Sequence, residues 1–132
     1  SRRRTSPPLS RRRRPRMPDL SCLFCRIVQR TLPAQIVTED DELLAFKDIN
    51  PQAPTHLLII PKRHVATVAE LTADTAPLMT RGVLLANRLA KQAGIAESGY
   101  RIVINCGTGA GQSVFHVHLH LLGGRPMRWP PG

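Results

Sequence analysis

Six consecutive residues constrain this chain more than any other stretch: His116-Val117-His118-Leu119-His120-Leu121 alternate imidazole and aliphatic side chains. Such alternation marks a strand half buried in a sheet, because successive side chains leave on opposite faces. It predicts a strand over Ser113–Leu122 (SVFHVHLHLL). Val117, Leu119 and Leu121 turn into a core, and three imidazoles share the other face. The aliphatic row anchors the strand and leaves the histidine row for chemistry.

Two chemistries suit such a face. Imidazole is the commonest metal ligand, and a hydrolytic zinc site completes itself with further His or with Asp/Glu. The strand holds no acid, and Glu97 is the only acid after Asp74, which weakens a purely metal-based reading. Neutral imidazole is also a nucleophile towards phosphorus. With an unperturbed pKa of about 6.5 it is largely unprotonated at neutral pH. A covalent intermediate then splits one difficult displacement into two easier ones.

The rest of the chain supplies a sheet for this strand. Ile36–Glu39 and Leu43–Lys47 read as strands around the acidic turn Asp40-Asp41-Glu42. His56–Ile60 is an apolar run of strand length closed by Pro61, and Tyr100–Asn105 is a further strand. The segment Asn50-Pro51-Gln52-Ala53-Pro54 is a loop, since two closely spaced prolines cannot pair in a central strand. Cys22–Leu32 predicts a short helix ended by Pro33, with Leu23, Ile27 and Val28 on one face. A long helix opens at Thr72 or Asp74 and admits Pro77 in its first turn. It repeats Leu78, Gly82, Leu85 and Leu89 along one stripe and stops at Gly94. Gly107, Gly109 and Gly111 make a loop able to approach a ligand closely. Short turns between strands imply an α+β domain: an antiparallel five-stranded sheet with one long helix and a short N-terminal helix, the helices on one face.

The charge is unevenly placed. The formal net charge is +10, yet residues 1–16 hold eight arginines and no acid, which leaves the remainder near +2. The expectation is a disordered tail over 1–16 ahead of one folded domain over 17–132. The tail admits three readings. It is an arm for nucleic acid or acidic partners, an organelle-targeting segment, or sequence upstream of a true start at Met17. Pro7, Pro8 and Pro15 spoil the amphipathic helix that targeting needs. Without a native tail no nucleic-acid partner is expected. No apolar run approaches the ~18 residues of a membrane span. Nor does an apolar core follow the arginines, as a secretory signal requires. Three cysteines, Cys22, Cys25 and Cys106, argue against a disulfide framework and for a reducing compartment, so the cytoplasm is expected.

The segment GQSVFHVHLHLLGGRPMRWPPG, with AFKDINPQAPTHLLIIPKRH and GYRIVIN before it, is similar to the signature of the histidine-triad superfamily, and within it to the Hint branch of nucleotide-binding proteins. The likeness runs from Cys22 to Gly132. Galactose-1-phosphate uridylyltransferases resemble the triad but carry Gln at its third position; His120 stands there in this chain and favours a hydrolase.

The resemblance implies an enzyme that cleaves the P–N bond of purine nucleoside phosphoramidates, of the adenosine phosphoramidate or AMP–lysine type, through a nucleotidyl-histidine on His118. His120 and Ser113 would lie beside the phosphate and the departing amine, and Gly111 and Gln112 in a phosphate-contacting loop. His116 and His56 would be supporting histidines. Asp48 would take both ribose hydroxyls (its alternative reading is a turn residue before Asn50-Pro51), and Asn105 would sit near sugar and phosphate. Phe24, Ile27, Phe46 and Ile49 would surround the purine of a nucleotide such as AMP or GMP. Lys47 stands where related proteins often have His. Trp129 lies in a tail that would cross to a partner subunit, which implies a homodimer.

Cys22-x-x-Cys25 resembles half of a Cys2His2 structural zinc centre whose other ligands would be His64 and His116; the alternative is a pair of packed free thiols. Cys106 reads as a packed residue without a role. Two further functions stay open. One is hydrolysis of dinucleoside polyphosphates, against which the C-terminus argues. The other is a non-catalytic nucleotide-binding regulatory protein, against which the intact histidines and Ser113 argue.

Overall fold

The computed structural model describes residues 19–132; the arginine-rich segment 1–16 and Met17 lie outside the described residues. Five strands form one sheet: β1 Ile36–Glu39, β2 Leu43–Lys47, β3 Thr55–Pro61, β4 Tyr100–Val103 and β5 Leu119–Gly123. Their order is β1-β2-β3-β5-β4, and every neighbouring pair is antiparallel. Two helices, α1 Leu23–Val28 and α2 Ala76–Gln92, complete the α+β fold. The turn between β1 and β2 is built by Asp40, whose carboxylate accepts the N–H groups of Glu42 and Leu43, each at 2.8 Å. No helix among the described residues is long and apolar enough to cross a membrane.

The two helices do not share a face. The α2 residues Leu85, Ala86, Leu89 and Ala90 pack on Leu43, Ala45, Leu57, Ile59, Leu119 and Leu121. The α1 segment lays Cys22, Phe24, Cys25 and Ile27 on Leu44, Phe46, Leu58 and Ile60, the intervening positions of the same strands. Strand alternation puts those two sets on opposite faces, so one helix covers each. This corrects the one-face expectation and explains the uninterrupted apolar run of β3. A strand covered on both sides is apolar at every position. Gly82 lets α2 approach closely: a Cβ there would sit 3.2 Å from Leu119 Cδ1.

Helix ends differ from the sequence reading for local reasons. The N-terminal helix closes at Gln29, whose N–H bonds Cys25 O while the N–H of Arg30 bonds Ile27 O, well before Pro33. Its buried residues are Phe24, Cys25 and Ile27, while Leu23 is exposed. Thr75, rather than Thr72 or Asp74, precedes α2; its hydroxyl accepts the Thr72 N–H at 2.9 Å, so the two threonines build the turn that launches the helix.

The difference that matters for function lies in β5, which starts at Leu119 instead of Ser113. Leu119 and Leu121 pair with Ile59 and Leu57 of β3, and His120 pairs with Leu58 of β3 and Val103 of β4. Upstream, the chain leaves the ladder. Residues 116–118 are held by one main-chain bond, Val117 N–H to Val65 O at 2.6 Å, and by their own imidazoles. The alternation persists regardless: Val117, Leu119 and Leu121 are fully buried. Phe24 of α1 meets the rings of His116 and His118 edge-on, which places those histidines on the α1 side.

Candidate active site

Each triad imidazole has one nitrogen committed to the protein, and the partner decides what the other nitrogen can do. His118 Nδ1 lies 2.7 Å from its own chain's carbonyl at His116. A carbonyl only accepts, so the proton sits on Nδ1 and Nε2 carries the lone pair. That Nε2 has no protein partner among the described residues, and the residue keeps 6% exposure. The ring is wedged between Phe24, whose centroid is 5.1 Å away and nearly perpendicular, and His120 at 4.9 Å. Burial lowers the His118 pKa, opposed by the hydrogen bond to the His116 carbonyl and by the charge of Asp48. The outcome is an uncharged imidazole, fixed in orientation, with one free lone pair.

His120 is set the opposite way. The main-chain N–H of Gln52 donates to His56 Nδ1 at 3.0 Å, so the His56 proton is on Nε2. His56 Nε2 lies 2.9 Å from His120 Nδ1, which must accept. The His120 proton is therefore on Nε2, and the side chain offers a donor. Burial, then the neighbouring His118 and His56, lowers the His120 pKa to about 4. Burial also lowers that of His56, opposed by Asp48, whose Oδ2 is 3.3 Å from His56 Nε2. Asp48 Oδ1 accepts the Asn50 N–H at 2.8 Å, so the turn role foreseen for it is real and coexists with a carboxylate oxygen facing His56.

His116 turns away from both. Its Nε2 lies 2.7 Å from the Pro61 carbonyl, which fixes the proton there and leaves Nδ1 bare. That Nδ1 is 3.4 Å from Cys22 Sγ, 3.5 Å from Cys25 Sγ and 3.3 Å from His64 Nδ1, and Cys25 Sγ is 3.2 Å from His64 Nδ1. The four donor atoms sit mutually within 4.8 Å. Zinc bonds of about 2.0–2.3 Å in a tetrahedron place ligand atoms roughly 3.3–3.8 Å apart, so the residues fit a zinc ion. The hydrogen bond from the far nitrogen of His116 to a carbonyl is the orientation that metal-bound histidines adopt. Burial pushes the Cys25 thiol up to about 11, and coordination displaces such a proton. All three cysteines are free, and Cys106 is exposed, not packed.

The matching family model is the HIT domain, over residues 29–127. This chain belongs to the HIT domain family. Among solved structures, a HIT family hydrolase from Legionella pneumophila Philadelphia 1 superposes with TM-score 0.82 at 55% identity, covering 84% of this chain and 99% of that one. The 14 kDa zinc-binding protein of Zea mays is 49% identical over 119 residues, 89% of this chain and 92% of its own. The purine nucleoside phosphoramidase of Escherichia coli strain K12 is 47% identical over 105 residues, 80% and 88% of the two chains.

Within this HIT domain the other expected site residues fall into four groups. Ser113 is exposed and Asn105 half-buried, and neither side chain is engaged by another described residue. Phe24, Ile27 and Phe46 are packed core side chains, whereas Ile49, at 96% exposure, stands clear of the body. Trp129 is 82% exposed, and its tail is tied back by Arg101 donating to the Arg128 carbonyl at 2.8 Å.

Gln112 belongs to the last group and departs from expectation. Its side chain accepts the Gly107 N–H at 2.8 Å and donates to the carbonyls of Ala66 at 2.9 Å and Val114 at 3.0 Å. Its main-chain N–H bonds Gly107 O at 3.1 Å, and that of Gly111 bonds Thr108 O at 3.0 Å. Neither residue has an N–H to spare for a phosphate. Gln112 fastens the glycine loop, and Gly107 and Gly111, at φ 88° and 93°, give the loop its reversals. Lys47 leaves β2 on the α2 face, away from the triad histidines, and lines an open cavity of about 950 Å³ that meets the site at Asp48, Ile49 and His56. Gln52, Pro61 and Val65 orient the histidines through backbone groups, a role that no side-chain pattern marks.

Proposed function

We propose that this HIT family hydrolase cleaves the P–N bond of purine nucleoside phosphoramidates, with His118 as nucleophile. The observation that carries the reading is the bare, partly open Nε2 of His118 on a ring whose Nδ1–H is fixed by the His116 carbonyl at 2.7 Å. Likeness to the Escherichia coli purine nucleoside phosphoramidase supports the substrate class.

In the first step the His118 lone pair attacks phosphorus in line with the nitrogen, the P–N bond breaks, and the amine leaves after taking a proton from solvent. A nucleotide is now bonded to His118 Nε2, and the Nδ1–H remains on the carbonyl, which stabilises the positive ring. Water then attacks phosphorus, releases the nucleotide and returns one proton, so the cycle balances. His120 Nε2–H donates to phosphoryl oxygens as charge grows on them, a term that preorganised donors supply in sites of this kind. Ser113, with its free hydroxyl, hydrogen-bonds the departing nitrogen. Asp48 takes the ribose hydroxyls, Asn105 lies by the sugar and phosphate, and Ile49 closes over a base whose inner wall is Phe24, Ile27 and Phe46. Positioning and electrostatics carry most of the rate in such displacements.

Cys22, Cys25, His64 and His116 would hold zinc; a closed set of four protein ligands makes such an ion structural. Bound there, it supplies rigidity: it clamps α1 to the segment whose carbonyl orients His118. We also infer a homodimer in the cytoplasm, with Trp129 of one subunit near the site of the other; the free cysteines suit that compartment.

The test is turnover of adenosine 5′-phosphoramidate beside a dinucleoside polyphosphate, by wild type and His118→Gly. Fast release of ammonia from the first, slow cleavage of the second and no turnover by the variant are expected. Full turnover by His118→Gly rejects the covalent route, and preference for the polyphosphate rejects the substrate class.

A further inference from the structure

We infer that Arg125 is a positioning residue for the reaction: by holding the Gln52 carbonyl it fixes the backbone N–H that sets the proton positions of His56 and His120. The inference rests on the reading above that His120 Nε2–H donates to the phosphoryl group.

Strand register brings the two segments together. Thr55 and His56 at the start of β3 pair with Gly123 and Leu122 at the end of β5, so the chain leaving β5 runs beside the loop that enters β3. Gly124 makes the approach close: its φ is 92°, and a Cβ there would lie 2.9 Å from Pro54 Cβ. The next residue, Arg125, donates from Nε to the Gln52 carbonyl at 3.0 Å and from Nη1 to the Pro126 carbonyl at 3.0 Å. The second bond orients the guanidinium that makes the first. Among the described residues, no other side chain from beyond residues 48–56 hydrogen-bonds this loop.

Gln52 is the first member of a chain of protons. Its N–H donates to His56 Nδ1 at 3.0 Å, His56 Nε2 donates to His120 Nδ1 at 2.9 Å, and His120 keeps its proton on Nε2. A neutral imidazole carries its proton on either nitrogen, and the partners choose which. With Gln52 turned away, His56 can hold its proton on Nδ1. Its Nε2 then accepts from His120 Nδ1, and His120 presents a lone pair to the phosphate where a donor is needed. One loop orientation thus decides two tautomers. The remaining tie on Gln52, from its Nε2 to the Asn50 carbonyl at 3.0 Å, joins the loop only to itself. Arg125 joins it to the end of β5, the strand that carries His120.

Arg125 and Gln52 are both exposed, so their bond contributes little to global stability. Its effect falls on His120, whose donor matters most as charge grows on the phosphoryl oxygens, and hence on kcat rather than KM.

The experiment uses two replacements of matched length. Glutamine places an Nε2–H, and methionine a methyl group, as many bonds from Cα as the arginine Nε. Arg125→Gln therefore keeps the donor without the charge, and Arg125→Met keeps the length without the donor. Imidazole 15N shifts of the ligand-free proteins read the tautomers. Wild type and Arg125→Gln show Nε2–H on both His56 and His120, whereas Arg125→Met shows a mixture. With adenosine 5′-phosphoramidate, Arg125→Met loses about five-fold in kcat at unchanged KM, the size of one net hydrogen bond, and Arg125→Gln stays within about two-fold of wild type. Wild-type tautomers or wild-type kcat in Arg125→Met, or an equal kcat loss in Arg125→Gln, overturns the positioning role and leaves the hydrolase reading standing. Absence of turnover by the wild type overturns the hydrolase reading instead, and the tautomer comparison, which uses no substrate, still decides what Arg125 holds.

Discussion

Replacing Gln112 by alanine tests whether this residue is a fastener or a ligand contact. The wild-type amide makes three bonds, to Gly107 N–H, Ala66 C=O and Val114 C=O, over 2.8–3.0 Å, from a residue only 3% exposed. Each unmade bond of this kind costs about 1 kcal/mol, and more where water cannot substitute. The three former partners sit in half-buried residues, so partial rehydration brings the total to about 2–3 kcal/mol. For a domain of this size that is a fall of roughly 10 °C in melting temperature. Denaturant unfolding of the metal-loaded protein reads the stability, and amide exchange at Gly107 reads the loop. Gln112→Glu is a sharper control: it keeps the shape but turns an acceptor towards two carbonyls, and should rescue nothing. A Gln112→Ala protein within ~0.5 kcal/mol of wild type, with an unaltered Gly107 amide, refutes the fastening role.

Acid should destabilise the fold through the same histidines that serve the site. Burial and its neighbours hold His120 at about 4, and burial lowers His56 as well, against ~6.5 in an unfolded chain. The unfolded state then binds protons that the folded state refuses, so stability falls as pH drops from about 6.5 to about 4 and levels off below. Melting temperatures measured from pH 7 to pH 4 check this, and a flat or rising series contradicts it. For the proposed metal, elemental analysis should find about one zinc per chain in wild type and none in the double variant Cys22→Ser, Cys25→Ser, with a lower melting temperature. Equal zinc content in the two proteins contradicts the ligand assignment.

Much of the sheet could be read from the chain because its strands obey simple rules. Ile36–Glu39 and Leu43–Lys47 appear with the bounds that turn and β signals predict, since Asp40 makes the turn from its own side chain. Tyr100–Asn105 shortens to β4 at Val103, and His56–Ile60 lengthens by one residue at each end. The placement of α1 was not legible: six helical residues carry too little periodicity to say which face they cover, and only the packing on Leu44 and Phe46 decides it.

The histidine alternation gives the direction of the three rings correctly, whereas the strand itself starts at Leu119 and not at Ser113. The three rings leave on one side of the chain, yet each meets a different partner: a metal-ligand cluster for His116, solvent and Phe24 for His118, and His56 for His120. Those roles rest on proton positions set by Pro61, the His116 carbonyl and the Gln52 N–H. Backbone groups have no identity in a sequence, so neither the proton positions nor the saturation of Gln112 could be foreseen there.

The claim on which the account turns is that a nucleotide becomes bonded to His118 Nε2. Mixing the protein rapidly with adenosine 5′-phosphoramidate, quenching in alkali within one turnover and mapping peptides by mass spectrometry tests it directly. An adenylyl group on the peptide containing His118, absent from His118→Gly, is the predicted result. Turnover with no adduct on that peptide, or an adduct confined to another residue, contradicts it.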